Sequence, residues 1–175
     1  MRFGEDIDFS YRIVEAGHAT ALLPDAWVWH KRRTDLRKFW RQVFNSGIAR
    51  INLSKRHPGT MKLVHMLPAL FTLGTACCLL LILAGIVAGA TICRHIDPPL
   101  GLFLCALGLL PLLLYSALIL ADATRRNRSL RVGLLAVPAA FVQLTGYGCG
   151  FLQAWWRRIV KGQDEFQAYE KNFYQ

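Results

Sequence analysis

Apolar and polar residues divide this chain into two kinds of sequence. From residue 67 onward three apolar stretches follow one another, 67–93, 100–121 and 132–156, each about as long as the ~20 residues that cover a bilayer core or longer. The first carries no charge. The second contains Pro111, which a bundle tolerates because neighbouring helices satisfy the freed carbonyl. The third contains Pro138, Gln143 and a run of glycines at Gly146, Gly148 and Gly150. It reads either as a complete third span or as a segment that is broken or bends back.

Ahead of residue 67 the patterns are shorter. Ile7, Tyr11 and Val14 recur at i, i+4 and i+7, which predicts a short helix stopped by Gly17. His18 to Leu23 and Ala26 to His30 read as two short strands around a Pro24-Asp25 turn. Thr34-Asp35 is a helix-opening signal, and Leu36, Phe39, Trp40, Val43, Phe44, Ile48 and Ile51 then share one face. Arg37, Lys38, Arg41, Asn45 and Arg50 occupy the rest. Two readings fit such a helix: it lies flat in the headgroup layer, or it packs on protein. Gly47 weakens it by roughly 1 kcal/mol relative to Ala, which favours a bend there.

The pattern predicts a mainly α-helical membrane protein. A short α/β remnant (1–33) precedes an amphipathic interfacial helix (34–56), two or three transmembrane helices within 67–156, and a surface tail (157–175).

Composition agrees with this division. Of 175 residues 54% are hydrophobic, and the mean hydropathy is +0.30. Residues 1–65 are too charged and too few to bury a large core alone. The formal net charge of +10 is concentrated between residues 31 and 62, where Asp35 is the single acid. A basic block beside a membrane span points to anionic lipid headgroups on the cytoplasmic side rather than to nucleic acid. The 125–131 stretch is also basic, whereas 94–99 holds one Arg and one Asp. The N-terminal region is therefore expected in the cytoplasm and the 94–99 turn outside. A complete third span would leave Arg157, Arg158 and Lys161 on the wrong side of that rule. The five cysteines lie in or beside apolar segments without metal-ligand spacing, so they imply neither a disulfide framework nor a zinc site.

The densest chemistry is Gly4-Glu5-Asp6-Ile7-Asp8-Phe9-Ser10-Tyr11-Arg12. Three carboxylates in a first helical turn suit the helix dipole, and Asp8 and Arg12 are spaced to face one another. This motif, followed by Gly17, two strand-like stretches and His30, resembles the end of the catalytic domain of family 2 glycosyltransferases, which have a GT-A fold. The resemblance covers about residues 2–55. It implies that Asp6 is the general base, that Glu5 orients the acceptor or Asp6, and that Asp8 and Arg12 support the helix. Inverting transfer needs such a base for the acceptor hydroxyl, together with positive charge on the departing diphosphate. His30 is then either a ligand of metal or diphosphate or a strand-end histidine without a catalytic task. Arg33 and Arg41 contact either the diphosphate or lipid headgroups.

The resemblance further implies a nucleotide-sugar donor, a lipid-linked or glycan acceptor, a divalent Mg or Mn ion, and cell-envelope glycan synthesis at a bacterial inner membrane. Phe39-Trp40-Arg41-Gln42 has similar residue types to the Gln-x-x-Arg-Trp motif of polymerising relatives but does not match it, which favours transfer of a single sugar. The family's nucleotide-sugar half, with its Asp-x-Asp segment, is not found in these residues. Asp6-Ile7-Asp8 has the spelling but sits on the helix of the base. The chain is thus expected to be the C-terminal portion of a transferase, inactive by itself, with a separate N-terminal half as one possible partner. The alternative is a non-enzymatic, small multi-pass membrane protein whose basic cytoplasmic face binds lipid or a partner.

Overall fold

The computed structural model describes residues 4–29, 35–92 and 99–166. Its helices are α1 (Glu5–Glu15), α2 (Leu36–Arg56), α3 (Leu67–Ile92), α4 (Pro99–Asn127) and α5 (Leu130–Trp155). A single 3-10 turn, Leu63–His65, precedes α3, and α5 ends in a π-helical turn over Trp156–Val160. Helices α3, α4 and α5 are long and apolar enough to cross a membrane, as the apolar pattern predicts.

The α/β remnant is not found: the described residues contain no strand. The turn at Pro24-Asp25 does form, with Ala26 N–H donating to the Leu23 carbonyl at 3.2 Å. Around it the strand-like sequences lie open, Leu22 93% and Trp29 91% exposed. A strand is stable only when neighbours take up its backbone hydrogen bonds. Residues 18–29 have β-type sequence without another strand to pair with, so alternation alone does not make a sheet.

α2 is continuous through Gly47, and α5 is continuous through its glycines, which agrees with the complete and not the broken reading of the third apolar segment. Contrary to the expected basic loop over 125–131, α4 continues to Asn127 and α5 begins at Leu130, with Arg126 Nε bonded to Asp122 at 2.8 Å. The connection to α5 is a tight turn at Arg128 (φ 49°) and Ser129.

The chain forms two compact units. One comprises residues up to Ala69 together with those from Val142; the other is Leu70–Phe141. In the first, the core is Ile48 and Ile51 of α2, Ala69, and Phe151 and Ala154 of α5, with Phe44, Met61, Tyr147 and Phe166 against it. The glycines make this crossing possible. A Cβ on Gly47 would collide with the Tyr147 carbonyl, and one on Gly150 with the Phe44 carbonyl. They serve backbone approach, not bending. The second half of α2 is buried in protein, whereas Leu36 to Lys38 at its start are exposed. Packing on protein, one of the two sequence readings, describes the second half of this helix.

In the second unit α3 and α4 form an antiparallel pair. A Cβ on Gly101 would lie 2.9 Å from the Gly85 carbonyl, and one on Gly108 would lie 2.8 Å from Ile82. Small residues are the usual way in which helices approach in lipid, where burial of apolar surface gives little drive. Phe71, Tyr115 and Phe141 form a ring cluster at 4.9 to 5.8 Å between centroids.

Candidate functional site

Helix α1 begins at Gly4, whose left-handed backbone (φ 77°) favours glycine. It ends at Gly17 (φ 81°), where His18 N–H reaches back to the Ile13 carbonyl at 3.1 Å. The acids Glu5, Asp6 and Asp8 occupy its first turns, and their environments diverge. Glu5 and Asp6 are exposed. Asp8 is 8% exposed and is the buried residue of this helix. Of the apolar positions expected to seat α1, Val14 is 59% exposed. Ile7 and Tyr11 are half-buried, so the most buried contact of this helix is the charged one at Asp8.

That contact centres on His57, 7% exposed, just past the end of α2. Its Nε2 lies 2.9 Å from Asp8 Oδ1 and its Nδ1 lies 2.7 Å from Glu15 Oε1. Carboxylates only accept, so both ring nitrogens must donate, and only the imidazolium can do that. The hydrogen bonds that His57 donates to Asp8 and Glu15 accordingly raise its pKa above the ordinary value, against the effect of burial. The same bond, aided by Arg56 and Arg12, lowers the Asp8 carboxyl against the effect of its burial. Arg12 Nε stands 3.5 Å from Asp8 Oδ2, the pair that the i, i+4 spacing predicts. Arg56 stands 3.7 Å from the same oxygen and 2.7 Å from Glu165. The Tyr11 ring packs against the imidazole at 5.1 Å. With His57 protonated, three cations face three carboxylates.

The site residues predicted from sequence are thus sorted. Glu5 and Asp6 stand together at the open start of α1; Asp6 accepts a hydrogen bond from the Ser10 hydroxyl only through its backbone oxygen, at 2.8 Å. Asp8 and Arg12 belong to the clamp. Arg41 lies half-buried on α2. His30 and Arg33 fall outside the described residues.

The divalent ion implied by the resemblance finds no fitting donor set here. Among the described residues, no three His, Cys, Asp or Glu side chains are arranged to hold a metal. Asp8, half of the Asp-x-Asp spelling, is committed to His57 and two guanidinium groups.

His57, Glu15, Arg56 and Glu165 were not singled out from sequence. His57 stands beside Pro58 and Gly59, where the sequence signals only a break after the helix, and it is 49 residues from Asp8. A local hint existed: Asp8, Tyr11, Arg12 and Glu15 recur at helical spacing and make a charged face on an otherwise apolar pattern. No protein-family model, no curated protein and no solved structure matches this chain.

Proposed function

We propose that this chain carries the catalytic base and the membrane anchor of an inverting glycosyltransferase of family 2 type. In this reading a sugar passes from a nucleotide-sugar to a membrane-associated acceptor in cell-envelope glycan synthesis, on the cytoplasmic face of a bacterial inner membrane. One observation carries the reading: of three acids in one helical turn, Asp8 is locked in an ionic clamp while Asp6 and Glu5 remain exposed beside it. A purely structural acidic helix start needs only negative charge near the helix end. A base needs in addition that its carboxylate can reach an acceptor while its helix stays fixed, and the clamp at Asp8 beside the exposed Asp6 meets both requirements.

Asp6 takes the proton of the acceptor hydroxyl as the oxygen attacks the anomeric carbon, and Glu5 orients that hydroxyl. The clamp at Asp8 holds α1 in place. Donor-binding groups and any metal are supplied by residues outside this segment. The long apolar helices keep the base at the membrane surface, where a lipid-linked acceptor would present its hydroxyl.

The test is Asp6→Asn in the complete membrane-embedded protein, with transfer measured from nucleotide sugars to endogenous membrane acceptors. Removing a general base is expected to lower turnover by about 10²–10⁴-fold, with membrane insertion unchanged. Wild-type turnover in that variant would refute Asp6 as the base. No transfer by the wild-type protein with any nucleotide sugar would favour a non-enzymatic membrane protein with a basic face.

A further inference from the structure

The cations of the first unit differ in what they face. Arg12, Arg56 and His57 meet the carboxylates Asp8, Glu15 and Glu165, which are thereby committed. Lys55 Nζ donates to the Arg158 carbonyl at 3.0 Å. Arg50, half-buried on α2, stands apart: its Nη1 is buried and meets no acceptor among the described residues. A guanidinium carries five donors and no acceptor, and burying such a charge without an anion is costly.

The groups beside Arg50 are donors too. The Tyr147 hydroxyl of α5 faces it. The helix crossing brings them together, because the Tyr147 carbonyl closes on Gly47, one turn before Arg50. That hydroxyl can accept from Arg50 and donate its own hydrogen onward. His65, in the turn that leads into α3, lies in the field of Arg50 and Lys62. Burial, then Arg50 and Lys62, push its pKa below the ordinary value, which favours the neutral ring. Its Nδ1 accepts the Lys62 backbone N–H at 3.1 Å, so the ring proton is on Nε2, a further donor. A guanidinium, a hydroxyl, an imidazole N–H and the Lys62 ammonium are thus gathered in one unit.

Their surroundings define the anion. Leu63, Val64, Met66 and Leu67 are exposed, and α3 begins at Leu67. An anion held here would bring apolar surface with it. Guanidinium forks match the oxygens of phosphate, and neutral N–H and O–H donors complete such a shell.

We propose that Arg50, Lys62, His65 and Tyr147 form a site for the phosphate of one anionic phospholipid, whose acyl chains lie against Leu63, Val64 and Leu67. This goes beyond the attraction of a basic block to a charged surface, because one lipid is assigned to one set of donors. The lipid fastens the second half of α2 to the entry of α3. The site is independent of any catalytic role for Asp6.

The test titrates the full chain in neutral detergent with short-chain phosphatidylglycerol and counts bound lipid by native mass spectrometry. One lipid per chain should bind. Arg50→Gln should lower its affinity about tenfold or more, the scale of one charge-assisted hydrogen bond. Lys62→Gln should weaken it as well, and this exposed residue outside the helices tests the site even if Arg50→Gln fails to fold. Lys38→Gln, at the exposed start of α2, should change nothing. Wild-type affinity in folded Arg50→Gln or in Lys62→Gln overturns the site. Equal losses at Lys38 and Lys62 overturn it too, since they would mean a diffuse basic surface. Phosphatidylcholine should bind more weakly, and equal binding would remove the need for an anion and refute the proposal. Inorganic phosphate at equal concentration should not displace the lipid; displacement would assign the donors to free phosphate instead.

Discussion

The two compact units are held together by different physics. Leu70–Phe141 has glycine approaches between α3 and α4 and one aromatic cluster, with its leucines facing outward. The other unit has a buried apolar core, a glycine crossing between α2 and α5, and an ionic clamp around His57. In a bilayer, lipid tails satisfy apolar side chains as well as protein does, so shape decides which helices meet. Where water reaches, burial of Ile48, Ile51 and Phe151 stabilises the contact, and charges can be exchanged for specificity. The proposed base sits on the element fixed by charge, α1, which is attached to the end of α2 through His57.

The largest effect should come from the glycine crossing, because there backbone meets backbone and nothing soft can yield. Gly47→Leu is expected to destabilise the protein by about 3 kcal/mol or more, the upper part of the overpacking range. Gly74→Leu on α3 has nothing within 4 Å of its added Cβ and should change little. Thermal unfolding in detergent, followed by intrinsic tryptophan fluorescence, compares the two. Equal midpoints would mean that α2 and α5 do not cross where Gly47 and Gly150 place them.

Next comes the ionic clamp, which pH can open. The folded pKa of His57 is raised above 6.5, so its contribution is complete below that value and is lost as pH rises through the raised one. The folded pKa of Asp8 is lowered below 3.8, so its contribution is present above that value and is lost as pH falls through the lowered one. Attachment of α1 should therefore be firmest between those ordinary values and weaken towards alkaline pH. Amide exchange over residues 9–14, corrected for the intrinsic pH dependence, reads this directly. In His57→Gln the alkaline limb should disappear. A limb that persists in that variant would show that His57 is not the group whose titration loosens α1.

Local patterns carried much of this molecule. The three long apolar helices, the Asp35 cap on α2, with its carboxylate bonded to Arg37 N–H at 2.6 Å, the Gly17 stop and the Asp8–Arg12 pair all depend on residues close in sequence. Periodicity and capping report such neighbours. The misses depend on partners distant in sequence. Residues 18–29 have the alternation of strands, yet pairing requires another strand. Gly47 reads as a flaw in a helix until Tyr147 and Phe151 are brought against it. His57 meets its carboxylates only once α1 folds back upon the end of α2. The same limit applies to the proposed site: its acids are visible in one motif, but their division into one clamped and two exposed groups is tertiary.

The smallest expected effect is at the outer edge of the clamp. Glu165 bonds Arg56 at 2.7 Å, but the Arg56 side chain is 39% exposed, so water and salt already compete for it. Glu165→Gln should destabilise the unit by about 0.2–1 kcal/mol, as for other exposed ion pairs, and the difference should fade in high salt. Asp8→Asn should cost more, because it leaves His57 and Arg56 facing a neutral amide in a buried position. Both variants can be compared by denaturant titration at low and high ionic strength. If Glu165→Gln proved the more damaging of the two, α1 would not be anchored through Asp8. The fixed platform proposed for Asp6 would then have to come from the segment after α5, which Glu165 and Phe166 connect to α2.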